Sequence, residues 1–216
     1  METTISEKAR ATRSRILQAA AQVFATKGYH ETRVDDIVEE SNSSKGSVYF
    51  YFPGKQQMFL ALVDQFADLL ERRLTEAIAQ EDDGVCRVDA AIRVCLETFG
   101  KYRKLAKILL IQAVGLGAVF EEKRLEIHHR FASMIQEHLN QAVAEGDIPL
   151  VDTEIVSIAW MGAINEVVIR WVHTGQPEPD RIAHTLRIAL LRSIGVSEDR
   201  IQELNLKTPN ITIEER

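Results

Sequence analysis

Helical periodicity from one end of the chain to the other is the feature that most restricts its fold. In "TRSRILQAAAQVFATKGY" the apolar residues Ile16, Leu17, Ala20, Val23 and Phe24 recur at intervals of three and four, the spacing of one helix face. Gly28 follows where a left-handed cap closes the last turn, so the first helix is expected over roughly 10–27. The same spacing returns after Lys55 in Met58, Leu62, Phe66, Leu69, Leu70, Leu74 and Ile78, which predicts one long helix. Five later stretches repeat it between Gly100, Gly117, Gly146-Asp147, Gly175 and Gly195, with no internal repeat and no low-complexity tract. The expectation is an all-α protein of about nine helices, and 216 residues suffice for one large core or two small ones.

The segment between the first and the long helix is short, polar and crowded with rings. Thr32 offers an N-cap oxygen with Asp35 and Asp36 in the following turn, predicting a second helix that runs to about Glu40. "SNS" at 41–43 is a turn, Ser44 caps a third helix over "SKGSVYFYF", and Pro53-Gly54 ends it. Two short helices joined by three residues have the geometry of a helix-turn-helix, whose second helix enters the DNA major groove. Val48 and Phe52, four apart, are expected to turn onto Ile37 and Phe24, leaving Ser44, Lys45, Ser47, Tyr49, Phe50 and Tyr51 toward solvent or the helix ends. Hydroxyls and rings beside a lysine, with Gly46 allowing close backbone approach, suit a surface that meets phosphates and base edges.

Charge is distributed to match. Lys8 to His30 holds five basic residues and no acid, and Ser41 to Lys55 holds two lysines and no acid. From Gln56 onward there are 18 basic and 25 acidic residues, so an anionic body carries a locally cationic end.

Over about residues 10–60 the sequence resembles the N-terminal domain of the TetR family of bacterial transcriptional regulators. The resemblance rests on Thr12, Ile16-Leu17, Ala19-Ala20, Phe24, Gly28, Thr32, Asp36-Ile37, Ser44-Lys45-Gly46-Ser47, Tyr49, Phe52 and Lys55. It implies a helix-turn-helix head at 10–70 and a helical ligand-binding and dimerisation body at 71–196, while the polar residues 197–216 are expected to form a loosely held tail. It also implies a homodimer, most often a repressor released by a small molecule. By the family's pattern Thr32 and Arg33 contact backbone, Ser44, Lys45, Gly46, Ser47, Tyr49, Phe50 and Tyr51 face the DNA, and Lys55 meets a phosphate. One departure is the turn: Ser41-Asn42-Ser43 stands where the family usually has Ala-Gly-Val. Asn42 can take the left-handed position, while Ser43 gives up an apolar plug, which leaves either a looser turn or a hydroxyl that reaches a phosphate.

The body is read from its residues alone. The penultimate expected helix is apolar nearly all round, with Ile155, Ile158, Ala159, Gly162 and Ala163 in a small-residue stripe. The last offers Ile182, Leu186, Ala189, Leu190 and Ser193, so the pair is expected to form a four-helix dimer contact. A ligand pocket is expected where polar Gln112 and Asn165 interrupt apolar faces, near Phe66, Leu70, Phe99, Trp160 and Trp171, and would take a largely apolar effector.

Other functions are disfavoured by inventory. Glycine-rich phosphate loops, dinucleotide fingerprints and Ser-x-x-Lys are absent, so neither an enzyme nor a cofactor is expected. His128, His129 and His138 lie among glutamates on one helix without a second set of metal ligands, and read as a solvated face rather than a metal site. Cys86 and Cys95 are expected to be reduced thiols. The N-terminus is charged and no apolar run approaches the length needed to cross a bilayer, so a cytoplasmic protein is expected. The resemblance gives it a double-stranded DNA operator, a small-molecule effector and a second copy of itself as expected partners. The competing reading is a helical protein whose head binds another protein; affinity that falls steeply with salt would favour DNA.

Overall fold

The computed structural model describes residues 7–112 and 117–207, with only the backbone described at 111, 112 and 207. Among these residues are ten α-helices and no strand. The head comprises α1 (Glu7–Lys27), α2 (Val34–Glu40) and α3 (Lys45–Tyr51), and α4 (Lys55–Ile78) leads into the body. The body continues with α5 (Gly84–Lys101), α6 (Arg103–Lys107), α7 (Ala118–Glu145), α8 (Thr153–Thr174), α9 (Pro179–Ser193) and α10 (Glu198–Lys207). Gly28, Gly146, Gly175 and Gly195 close helices with positive φ, as the apolar spacing requires.

Two cores share α4. Met58, Phe59 and Leu62 pack with Phe24, Ile37, Val48 and Phe52 in the head. One turn further on, Phe66, Ala67, Leu70 and Leu74 pack with Phe99, Leu139 and Trp160 in the body. The head's core also takes in two residues from far along the chain, Ile108 and Phe120, both buried. Phe59 and Phe120 meet edge to face at 5.3 Å, and Tyr29 meets each ring at 5.2 and 5.6 Å.

The structure corrects the sequence reading at several points. The helix expected over "KLAKILLIQAVGLG" is, within the described residues, α6 followed by a π-helical segment, Ile108–Gln112, and its residues 113–116 lie outside the described residues. Gly100 bounds no helix; it is buried within α5, which runs on to Lys101. The expected tail holds α10 over 198–207, because Ile201 and Leu204 supply an apolar stripe that is buried against the body. Arg200 ties that helix to Asp83 at 2.6 Å. Helix α8 is long and apolar enough, by length and composition, to cross a membrane, with a mean hydropathy of 1.4 over its most apolar window. Here it packs against α7 and α9, burying Trp160, Val168, Trp171 and Val172, and it carries Glu154, Glu166 and Arg170.

A buried polar knot joins α5, α9 and α10. Asp89 and Arg187, 2% and 4% exposed, form an ion pair, Arg93 donates to the second Asp89 oxygen at 3.2 Å, and Arg187 donates to Asn205. Charges this deep survive only when paired.

Candidate DNA-facing surface and ligand cavity

Local hydrogen bonding sets the exposed face of the head. Ser44 caps α3 by accepting from the Ser47 N–H at 3.1 Å, which fixes the register that buries Val48 and Phe52. Lys45, Gly46, Tyr49 and Phe50 are thereby left exposed, Phe50 at 81%, while Ser43, Ser47 and Tyr51 are partly covered. A Cβ at Gly46 would touch nothing within 4 Å, so no packing inside the protein requires a glycine there. The Lys45 ammonium sits 2.6 Å from Asp35, which pushes its pKa up through a hydrogen bond and the carboxylate's charge.

The turn between α2 and α3 is held firmly. Asn42 takes the left-handed conformation at φ 48°, as expected. Ser43 Oγ donates to the Ser41 carbonyl and accepts from Arg15 of α1, both at 3.3 Å, so polar ties stand where the apolar plug is missing.

Two expected contacts change character. Thr32 is not the cap of α2: its hydroxyl donates to the Gly28 carbonyl at 2.6 Å and its side chain is buried. Arg33 holds the cap position, its N–H donating to the Asp36 carboxylate at 2.8 Å. Lys55 at the start of α4 points into the protein. Its ammonium donates to the carbonyls of Tyr29, His30 and Thr32 at 2.8, 3.0 and 3.0 Å and lies 4.6 Å from the centre of the Tyr29 ring. An ammonium has three N–H donors, and all three are spent on the loop between α1 and α2.

In the body, α4, α5, α7 and α8 enclose a cavity of about 450 Å³, a volume typical of small-molecule sites. Seven residues of α4 from Phe59 to Ile78 line it, so it follows that helix for about 28 Å at 1.5 Å per residue. The expected Phe66, Leu70, Phe99, Trp160 and Asn165 are all in its wall, whereas Trp171 is not. Gln112 falls outside the residues whose side chains are described. At the end toward the head the wall includes Phe59 and Phe120, the two rings that also belong to the head's core.

The α7 side of the cavity departs from the sequence reading. His128 and His138 are not on a solvated face; both line the cavity, and only His129 is exposed. Burial lowers the pKa of each; Arg124 assists beside His128, while beside His138 the Glu137 carboxylate opposes the shift and Arg87 assists it. The signal was present in the sequence. His128 and His138 share the three-and-four spacing of Ile127, Phe131, Met134, Ile135 and Leu139, the apolar stripe of α7. Cys95 also lines the cavity, its thiol pushed up to about 12 by burial, and Cys86 is held at about 11, both free thiols. Among the described residues no group of three or more ligating side chains could hold a metal ion.

Of the expected dimer residues, Ile155, Ala159, Gly162 and Ala189 are exposed, Ile155 at 60%, and Leu186 is partly so. Ile182 is a correction: it is buried in the body's own core, one turn away from the exposed face of α9.

Residues 16–62 match the family described as bacterial regulatory proteins, tetR family, and residues 81–194 match a tetracyclin repressor-like C-terminal domain. The chain belongs to the TetR family. This TetR-family protein is 25% identical over 183 residues to the HTH-type transcriptional regulator SrpR of Pseudomonas putida, covering 85% of this chain and 84% of SrpR. It is 22% identical over 162 residues to the fatty acid metabolism regulator protein of Bacillus subtilis, covering 74% of this chain and 84% of that protein. Its fold is similar to that of the Bacillus subtilis regulator FadR crystallised with stearoyl-CoA, at a TM-score of 0.74 and 20% identity over 84% of this chain and 98% of FadR. A putative TetR-family regulator from Syntrophomonas wolfei superposes at a TM-score of 0.78 and 19% identity, over 88% of this chain and 98% of that one. The TetR-family protein is therefore a DNA-binding transcriptional regulator with a C-terminal domain of the ligand-binding kind, and not an enzyme.

Proposed function

We propose that this regulator is a cytoplasmic repressor that binds a palindromic double-stranded operator as a homodimer and is released by a small, largely apolar effector. The observation that carries the reading is the course of α4. Its first turn is clamped to the head through Lys55, and its next five turns form a wall of the apolar cavity. A helix is stiff, so a molecule seated along Phe66, Leu70 and Leu74 that shifts the body end of α4 also shifts the loop that Lys55 holds. FadR, a neighbour in fold, was crystallised with a molecule bearing a long acyl chain, which supports an elongated apolar occupant for a similar body.

On the head, Ser44, Lys45, Gly46, Ser47, Tyr49, Phe50 and Tyr51 supply the major-groove face, with Arg33 and Ser43 at its margin. The bare Gly46 and the exposed Phe50, whose ring meets only that of Tyr51 edge to face at 5.1 Å among the described ring contacts, fit a surface approached by a duplex. Across the two-fold, the exposed apolar stripe Ile155, Ile158, Ala159 and Gly162 of α8 meets its own copy beside Ala189 and Leu186 of α9. Gly162 tests this cleanly, since a Cβ there would meet nothing within 4 Å in the protomer. Gly162→Leu is expected to leave the protomer folded while shifting its mass in solution from dimer to monomer and abolishing retardation of a duplex selected from a random library. A dimeric, DNA-competent Gly162→Leu protein would overturn the proposed interface. Wild-type affinity for that duplex that did not fall with rising salt would overturn DNA as the ligand of the head.

A further inference from the structure

Resting on the reading of the head as the part that meets DNA, we propose that α1 supplies the backbone anchors of this protein. Arg15, hooked to Ser43, holds a phosphate at the N-terminal end of α3, and Arg13, lying over Phe52, holds another at its C-terminal end. The need for such anchors comes first. About half to two-thirds of the hydrogen bonds to a duplex go to phosphate and sugar, and they set the register in which a recognition helix meets the bases. Lys55, the lysine expected to meet a phosphate, has its three N–H groups engaged by the carbonyls of Tyr29, His30 and Thr32. Lys27 and Lys45 are held by Asp36 and Asp35 at 2.8 and 2.6 Å.

The cations of α1 are unspent. Lys8, Arg10, Arg13 and Arg15 are exposed, and among the described residues none of them pairs with a carboxylate. In the body, by contrast, Arg87, Lys123, Arg130 and Arg200 each hold one. Geometry brings two of the four to α3. Arg15 Nη2 donates to Ser43 Oγ at 3.3 Å, one residue before the Ser44 cap, and the Arg13 guanidinium lies 5.0 Å from the centre of the ring of Phe52, the C-cap of the same helix. Residues two apart leave a helix in different directions, so one short segment of α1 reaches both ends of α3. Neither guanidinium is used up. A guanidinium has five N–H donors, of which Arg15 gives one to Ser43 and Arg13 gives none to a described residue, and the planar fork that remains matches the oxygens of a phosphate. Ser43 is a positioning residue, because its own hydroxyl proton goes to the Ser41 carbonyl and it acts on Arg15 by accepting. The valine usual at this position in the family offers no such acceptor.

The test uses the full-length protein and the duplex selected from a random library, with affinity measured by gel shift over a series of salt concentrations. Arg15→Ala and Arg13→Ala are each expected to weaken binding about tenfold and to lower the slope of log affinity against log salt by about one for each head bound. The melting temperature stays the same, and so does the sequence enriched from the library, since phosphates carry no base identity. Ser43→Val keeps every charge and is expected to weaken binding about threefold at unchanged slope, with no further effect once Arg15 is alanine. Arg72→Ala, which removes an exposed charge from the body stretch of α4, leaves affinity and slope as they are. Wild-type affinity and slope in a folded Arg15→Ala or Arg13→Ala protein, or an altered enriched sequence, would overturn this inference alone. Wild-type binding that ignored salt would overturn the DNA reading of the head and this inference with it.

Discussion

The two cores of this regulator are built from the same residue types and end in opposite states. The head fills its interior with interlocking rings, Phe24, Tyr29, Phe59 and Phe120 meeting at 5.2 to 5.7 Å. The body, assembled from longer helices, leaves a cavity of about 450 Å³. A filled core holds a recognition surface in one shape. A hollow one has a favourable binding free energy still to gain. Because α4 belongs to both, a shift of that helix in one core moves residues of the other.

The comparison is broken most directly by making one substitution in each core. Phe24→Ala removes a fully buried ring from the filled side, away from the cavity, and is expected to cost about 3–5 kcal/mol of stability in chemical denaturation. Phe66→Ala, where the ring already borders empty space, is expected to cost distinctly less and to act on ligand affinity instead. Equal losses at the two sites would mean that the body is not hollow in solution.

Lys55→Met probes the joint between the cores. Three carbonyls lose a charged donor and the Tyr29 ring loses its cation, so a cost of about 2–3 kcal/mol in stability is expected. A lysine that met only a phosphate would behave differently, lowering the salt slope of DNA binding by about one with the melting temperature unchanged. The two outcomes separate a clamp from a contact. Lys45→Ala should do the reverse of Lys55→Met. Its ammonium and its partner Asp35 are both exposed, so stability holds while duplex affinity falls about tenfold in a gel-shift titration.

The smallest effect is titration of the hollow side. His128 and His138 have folded-state pKa values below the ordinary 6.5, so on acidification the unfolded chain takes up these protons first. Stability is therefore fully present above about pH 6.5 and declines as pH falls from there through the lowered folded values. The melting temperature is expected to drop between pH 7.5 and 5.5, and His128→Gln with His138→Gln should flatten that drop. An unchanged slope would place both imidazoles in water.

What the sequence disclosed follows from the range of the forces involved. Helix caps and face periodicity are local, so Ser44, Asn42, Val48 and the stripe of α4 can be read directly, and the cavity residues Phe66 and Leu70 follow from that stripe. The contacts that escaped are long-range. Lys55 meets carbonyls 23 to 26 residues earlier, and Arg187 meets Asp89 across 98 residues. No periodicity encodes such pairs. Ile182, expected on the dimer face, is buried in the protomer, because an apolar residue on a helix gives no sign of which neighbour will cover it.

Ile108 and Phe120 in the head's core bear on how the molecule is made. Synthesis delivers the chain from its N-terminus, and domains that emerge first commonly fold first. Here the earliest-made region lacks two buried side chains until residue 120 has left the ribosome, so a nascent head of 60 residues is an unfinished structure. More than half of the 216-residue chain must be made before the DNA-reading surface can set.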